Sequence, residues 1–290
     1  MNTVSAHQHT PDEPVPGMHV RTVATLAVLG DSIGVGVGDP VPGGGWRGFP
    51  PLLAGALGAD LVNTSRNGAR LGCLRTTQLP AAMRARPDAA VVFAGMNDTL
   101  RSDFDTERLR ADLDTVVSTL TSSGALVVTV RYHDHGRVFR LPGPLRRALA
   151  NRIHDLNTIV DDVSARYGAG IVDLAVLPGT YQAAAWSVDR LHPSESGHRM
   201  LARALADAFA SAGAVVPADV SLECAGSAPI SRLDRWAWLV AKGIPWLWRR
   251  GQDLVPYALS VLLDAWRRQD QPAVSDEIRA RRRGVGQRTS

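Results

Sequence analysis

Cysteine is nearly absent from this 290-residue chain, with Cys73 and Cys224 far apart. Two are too few for a disulfide framework or a cysteine-based zinc site, so neither carries the fold and both read as reduced thiols. Long apolar runs are missing as well. No stretch reaches the about 18 uninterrupted apolar residues that a membrane-spanning helix requires. Residues Met1 to Val20 lack the apolar centre of a secretory signal and carry three His and three Pro, so they read as a disordered leader on a soluble, cytoplasmic protein.

Nor is there a basic surplus on the main body. The net charge of +4 hides an asymmetry: residues 231–290 hold 12 Arg and Lys against 6 Asp and Glu, while residues 1–230 hold 20 against 22. A nucleic-acid-binding core would concentrate positive charge on the folded domain, so that class is set aside. The basic tail points instead to an acidic partner such as lipid headgroups.

What is present is material for a core. With 45% hydrophobic residues, the chain has enough to bury one large core, or a core plus an appendage. From Thr22 onward, short apolar runs alternate with longer segments of helical period, the pattern of a parallel sheet covered by helices. Strands are expected at Thr22–Leu29, Asp60–Asn63, Ala89–Ala94, Ala125–Arg131 and Gly170–Leu174. Helices are expected near Gly48–Leu57, Leu74–Ala85, Thr106–Ser122, Leu145–Tyr167 and Ser194–Ala212. Asp105 and Ser194 are placed to cap the two helices that follow them, and Gly124 and Gly213 to end them. In the last helix Met200, Leu201, Leu205 and Phe209 form the expected buried stripe. The organisation reads as a leader (1–21), an α/β domain (22–212), a linker (213–230), a Trp- and Arg-rich helical extension (231–268) and a basic disordered tail (269–290).

A doubly wound sheet carries its functional loops at the carboxyl ends of its strands, and four of those places hold polar groups. After the first strand stands Gly30-Asp31-Ser32-Ile33-Gly34, a hydroxyl in a strand-to-helix turn, where a serine also serves as an ordinary helix cap. After the second comes Asn63-Thr64-Ser65-Arg66-Asn67-Gly68, whose glycine lets a backbone N–H approach a reacting oxygen, though Asn-Gly suits any turn. After the third, Gly95-Met96-Asn97-Asp98 offers a side-chain amide. Before the last helix, Asp189-Arg190-Leu191-His192-Pro193 places an acid three residues ahead of an imidazole. A hydroxyl is a poor nucleophile without a base in hydrogen-bond reach, and that base needs an anion to fix its tautomer. Together the four segments supply all of these parts.

In order and placement these segments resemble the SGNH (GDSL-like) hydrolases over residues 23–212. The four signature residues fall on Ser32 in Gly-Asp-Ser, Gly68 in Asn-x-x-x-x-Gly, Asn97 in Gly-x-Asn-Asp, and His192 in Asp-x-x-His-Pro. The resemblance implies a flavodoxin-like three-layer α/β/α sandwich and a Ser32–His192–Asp189 triad. It also implies an oxyanion hole made of the Ser32 and Gly68 N–H groups with the Asn97 side chain. Asp31 and Asp98 are supporting carboxylates. No metal and no organic cofactor is implied. The C-terminal extension has no counterpart in the family pattern.

Other features keep more than one reading. His133-Asp134-His135 suggests a metal at first sight, but neighbours in a loop do not converge on one ion, and a loop lining the acyl or acceptor pocket fits better. Arg137 and Arg140 in the same loop face either solvent or an anionic substrate group, and His198 reads as structural. The segment Arg232–Arg268 holds five of the seven Trp and reads as a helical hairpin on the domain, a lid, or a peripheral membrane contact. Three functions follow: an esterase acting on a small-molecule acyl ester of an alcohol, sugar or lipid; an acyltransferase using the same residues; and an inert binding module. Oligomeric state has no signature in the sequence.

Overall fold

The computed structural model describes residues 20–138 and 143–224. Arg140, the rest of the leader, the remainder of the expected linker, the extension over 231–268 and the tail over 269–290 lie outside the described residues.

The apolar runs become five parallel strands: β1 (Thr25–Gly30), β2 (Asp60–Asn63), β3 (Ala89–Phe93), β4 (Leu126–Arg131) and β5 (Gly170–Asp173). They lie in the order β2-β1-β3-β4-β5. β3 is buried throughout and β1 at every residue but its first, so both lack polar alternation. Their register runs from Leu26 beside Ala89 to Gly30 beside Phe93. Each fully buried Leu or Phe of this sheet, such as Leu26 and Phe93, contributes about 1.5–3 kcal/mol relative to exposure. The first strand begins later than expected because the Asp88 carboxylate accepts the N–H groups of Ala24 and Thr25 at its entrance.

The covering helices are α1 (Ser32–Val35), α2 (Phe49–Leu57), α3 (Leu71–Cys73), a π-helical turn (Leu74–Gln78), α4 (Leu79–Arg84), α5 (Met96–Thr99), α6 (Thr106–Ser122), α7 (His135–Val138), α8 (Gly143–Tyr167) and α9 (Glu195–Ser211), with a 3₁₀ turn at Ala183–Ala185. α2 packs against α9 in one layer, while α3, the π turn, α6 and α8 form the other. Asp105 and Ser194 cap α6 and α9 as their positions suggest: the Asp105 carboxylate accepts from Glu107 and Arg108, and the Ser194 hydroxyl from Gly197.

Three expectations need correction. The helix expected over Leu74–Ala85 is α3, the π turn and α4 in succession. Pro80 lacks the N–H an α-turn would need there, and Gln78 turns into the sheet. On α9, Met200 is only half-buried and packs on a small separate cluster of Val138, Ala185 and Trp186, while Leu201, Leu205 and Phe209 enter the main core. The described part of the expected linker is fastened down. Arg21 and Ala214 form a parallel bridge, Val220 is buried, the Ala56 carbonyl accepts from Ala218, and Arg199 and Arg203 donate to the carbonyls of Ser221 and Val220. No helix among the described residues is long and apolar enough to cross a membrane.

Candidate active site

In this strand order the sense in which strands are added to the sheet reverses between β1 and β3, and the crevice beyond their carboxyl ends is where such sheets bind ligands. Gly30, Asp31 and Ser32 leave β1 on one side of it, and Gly95, Met96 and Asn97 leave β3 on the other.

The turn after β1 is fixed from beneath. Buried Gln78 accepts the Gly30 N–H at 2.8 Å and donates to the Gly30 carbonyl at 2.8 Å, so one side-chain amide satisfies both polar groups of the strand's last residue. Asp31 caps α1 by accepting from Ile33 at 2.9 Å. As the first residue of α1, Ser32 has an N–H with no intrahelical acceptor, and its hydroxyl faces the crevice.

The His192 imidazole arrives from the far end of the chain. Its Nε2 lies 2.7 Å from Ser32 Oγ and its Nδ1 2.6 Å from Asp189 Oδ2. A carboxylate only accepts, so Nδ1 carries the proton and Nε2 accepts from the Ser32 hydroxyl. Asp189 Oδ1 receives the Ser187 hydroxyl at 2.6 Å and the N–H groups of Leu191 and His192 at 2.8 and 3.0 Å. Burial works against the Asp189 charge, but the hydrogen bonds and charge of His192, with the Ser187 hydroxyl, outweigh it and hold the carboxyl down at about 2. The loop reaches this shape through Arg190 in the left-handed region, at φ 55°. Gly38, at φ 103°, lies so close to the Pro193 carbonyl that a Cβ there would collide with it.

Around the hydroxyl stand the remaining motif residues. Gly68 adopts φ 73°, a conformation that favours glycine, and among the described residues nothing takes up its N–H. Asn97 Nδ2 donates to the Ala69 carbonyl at 3.1 Å and faces Asp31 Oδ2 at 3.4 Å, so it ties the Gly68 loop to the Ser32 turn. Asp31 is fully enclosed, and loss of hydration lifts its carboxyl to about 6, against the pull of the Ile33 N–H and of His192. Asp98 does not reach Ser32 or His192. Its carboxylate accepts Arg70 Nε at 2.9 Å and the Leu71 N–H at 3.2 Å, which anchors the segment after Gly68. Burial raises its pKa, opposed by the Arg70 hydrogen bond.

An apolar pocket adjoins this centre. Ile33, Met96, Leu191 and Pro193, the sequence neighbours of Ser32, Asn97 and His192, line it together with Trp186, Leu174 and Met200. His133 and His135 line it too. They meet each other, His135 Nδ1 to His133 Nε2 at 3.1 Å, and burial depresses them to about 3 and about 4, so both are neutral near pH 7. Among the described residues no group of three His, Cys, Asp or Glu is placed to hold a metal. His198 is buried in α9, with Nε2 donating to the Val37 carbonyl at 3.0 Å, and burial lowers it to about 4. Cys73 and Cys224 are free and exposed.

Sequence reasoning passed over several supports. Ser187 stands two residues before Asp189 in an ordinary-looking loop, and only the fold shows it bound to that carboxylate. Gln78 follows Arg75, Thr76 and Thr77 in a polar stretch, so nothing local marks it as buried. Arg47 bridges Asp39, at 2.9 Å, and Glu195, at 2.7 Å, which joins the chain before α2 to the first turn of α9 behind His192. No local pattern announces a pairing over that separation.

The sequence matches the GDSL-like lipase/acylhydrolase family over residues 28–200. No curated protein matches it. Solved structures do. An alpha/beta hydrolase enzyme from the metagenome of Lake Arreo, Spain, is 20% identical with a TM-score of 0.54, over 68% of this chain and 99% of the other. TesA is 22% identical with a TM-score of 0.52, over 65% and 99%. A variant of an acetyl xylan esterase from Geobacillus stearothermophilus is 21% identical with a TM-score of 0.52, over 67% and 97%.

Proposed function

The chain belongs to the GDSL-like lipase/acylhydrolase family and is an SGNH-type carboxylic ester hydrolase, and from that premise we propose that Ser32, His192 and Asp189 carry out the ester chemistry. The observation that supports this is the unbroken chain of short hydrogen bonds from Asp189 through His192 to Ser32 at the sheet's switch point.

In this reading Ser32 Oγ bonds to the acyl carbon while its proton passes to His192 Nε2, and Asp189 stabilises the imidazolium. The Ser32 and Gly68 N–H groups and the Asn97 amide receive the oxyanion, and Asp31 and Asp98 hold those loops in place. The carbon–oxygen bond to the alcohol then breaks, with His192 protonating the leaving oxygen. Water, activated by His192 in turn, releases the acid and restores Ser32. The substrate is an acyl ester of a small alcohol, sugar or lipid, with an apolar portion in the pocket bounded by Ile33, Met96 and Trp186. No metal or organic cofactor takes part in these steps.

A fluorophosphonate probe should label the wild-type protein at Ser32 and leave Ser32→Ala unlabelled. Labelling that persists in the variant removes Ser32 from this role. Adding sugar or glycerol acceptors to the same ester assay separates release of free acid from transfer to a second hydroxyl.

A further inference from the structure

Beside the apolar pocket, and sharing Trp186 with it, lies a second, open pocket whose walls include Arg137, Tyr181, Ser187 and Arg190. Trp186 lines both spaces, so they adjoin at that residue. We propose that this second cavity is a subsite for an anionic group, carboxylate or phosphate, carried by the ester that Ser32 cleaves. The proposal rests on the ester-hydrolase reading above and adds the substrate's charge to it.

The two guanidinium groups are held but unspent. Arg137 lies over the Tyr181 ring, with its guanidinium carbon 3.6 Å from the centroid. Contact with the ring face fixes the cation and leaves its in-plane N–H donors directed away from the ring, the geometry in which arginine grips a planar oxyanion. Arg190 projects from the turn that carries Asp189 and His192, and among the described residues its guanidinium makes one hydrogen bond, a long one of 3.4 Å from Nη1 to the Val138 carbonyl.

No Asp or Glu lines the cavity, and among the described residues neither arginine is in an ion pair. Elsewhere in the domain Arg47, Arg70, Arg75 and Arg131 are each matched with a carboxylate. The nearest acids in sequence are already engaged. Asp189 is taken up by His192, Ser187 and two backbone N–H groups, and Asp134 Oδ1 accepts from Gly136. A bound anion would therefore meet two unmatched positive charges a short way from the reacting centre.

The oxyanion could sit on either part of the ester, and the test separates the two sources. Three esters of matched length are compared on the full-length protein at low ionic strength: a neutral one, one whose acyl chain ends in a carboxylate, and one whose alcohol carries a phosphate. One anionic ester should show a KM about tenfold below the neutral one, the size of one charge-assisted contact, and added salt should erode the advantage. In Arg137→Gln that advantage should vanish while kcat and KM for the neutral ester stay unchanged. Preference for the carboxylate ester places the subsite toward the acyl end, and preference for the phosphate ester places it toward the alcohol. Equal KM for all three esters, or a preference that survives Arg137→Gln, overturns the proposal. Should no ester turn over, the hydrolase reading fails separately. Calorimetry with succinate and inorganic phosphate then decides the subsite: binding that Arg137→Gln abolishes supports it, and absence of binding overturns it.

Discussion

Ser32 and His192 meet at 2.7 Å, yet they are held by different means. Ser32 follows a strand that is buried from Leu26 to Gly30, and its turn is locked from below by Gln78 and Asp31. His192 sits in an irregular loop, half-buried, kept in shape by a left-handed Arg190, by a ring of donors around one Asp189 oxygen and by the close approach of Gly38. The two carboxylates record the contrast. On the sheet side the Asp31 carboxyl is lifted to about 6 by burial, and on the loop side Asp189 is drawn down to about 2 because its hydrogen bonds outweigh its burial. One region is built by excluding water and tolerates a strained charge. The other is built around a charge and depends on it. Changes on the sheet side should therefore register in stability, and changes on the loop side in turnover.

The largest effect is expected from Asp189→Asn. An amide facing Nδ1 would favour the tautomer with the proton on Nε2, which cannot accept from Ser32, so kcat should fall on the order of 10⁴-fold, a larger effect than the loss of stability near pH 7 that follows from removing the Asp189 charge. A loss below tenfold would mean that another group orients His192. Next in size, Gln78→Ala leaves the Gly30 N–H buried without its partner, worth about 1–3 kcal/mol, while the Gly30 carbonyl keeps the Arg66 N–H at 3.2 Å. Urea unfolding should show a loss of roughly 1–3 kcal/mol, and an unchanged midpoint would contradict the role assigned to that amide.

Asp31→Asn sharpens the comparison through pH. The folded state holds the Asp31 proton up to about 6, whereas the unfolded chain releases it near 3.8, so stability falls as pH rises through that window and the cost is fully present at neutral pH. The asparagine variant should be more stable than wild type at pH 7.5, by up to about 3 kcal/mol for a shift of about two units, and this gain should disappear near pH 4. Asp189 has the opposite sign. Its stabilising contribution is present above the unfolded value and is lost as pH falls from about 4 towards 2. A gain for Asp31→Asn that does not depend on pH would refute burial as the cause.

The smallest change is Ser187→Ala. It removes one of the donors on Asp189, worth about 1.4 kcal/mol or tenfold in kcat, and should leave the urea midpoint in place. A midpoint shift larger than the effect on turnover would mean that this loop contributes to the fold as the sheet does.

Much of this contrast is visible along the chain. β2 coincides with its expected span because Asp60–Asn63 is bounded on one side by Gly58 and on the other by a polar turn, and α6 coincides because Asp105 and Gly124 bracket an apolar stripe. The short helices α1, α5 and α7 were missed, since four residues are too few to show a period. The break at the π turn was missed because Gln78 acts through its contact with Gly30 of the sheet rather than with its chain neighbours, and Pro80 was read as an early position of one continuous helix. Ser32, Gly68, Asn97, Asp189 and His192 could be named because each stands at a strand end or before a helix, where local signals mark the boundary. Ser187, Gln78 and the Arg47 bridge could not, since each works through a partner set by the fold.

Periodicity and caps act over a few residues, so the sequence by itself determined the five strands, the major helices and the places where polar groups interrupt them. Its composition also determined that the basic charge lies beyond residue 230. Only the tertiary structure decided which of those groups meet. The strand order brings the ends of β1 and β3 to one crevice, and the return of the chain through β5 carries His192 across 160 positions of sequence to Ser32. The elevated pKa of Asp31 and the depressed one of Asp189 arise in the same way, because hydration and hydrogen bonding depend on what surrounds a carboxylate in space.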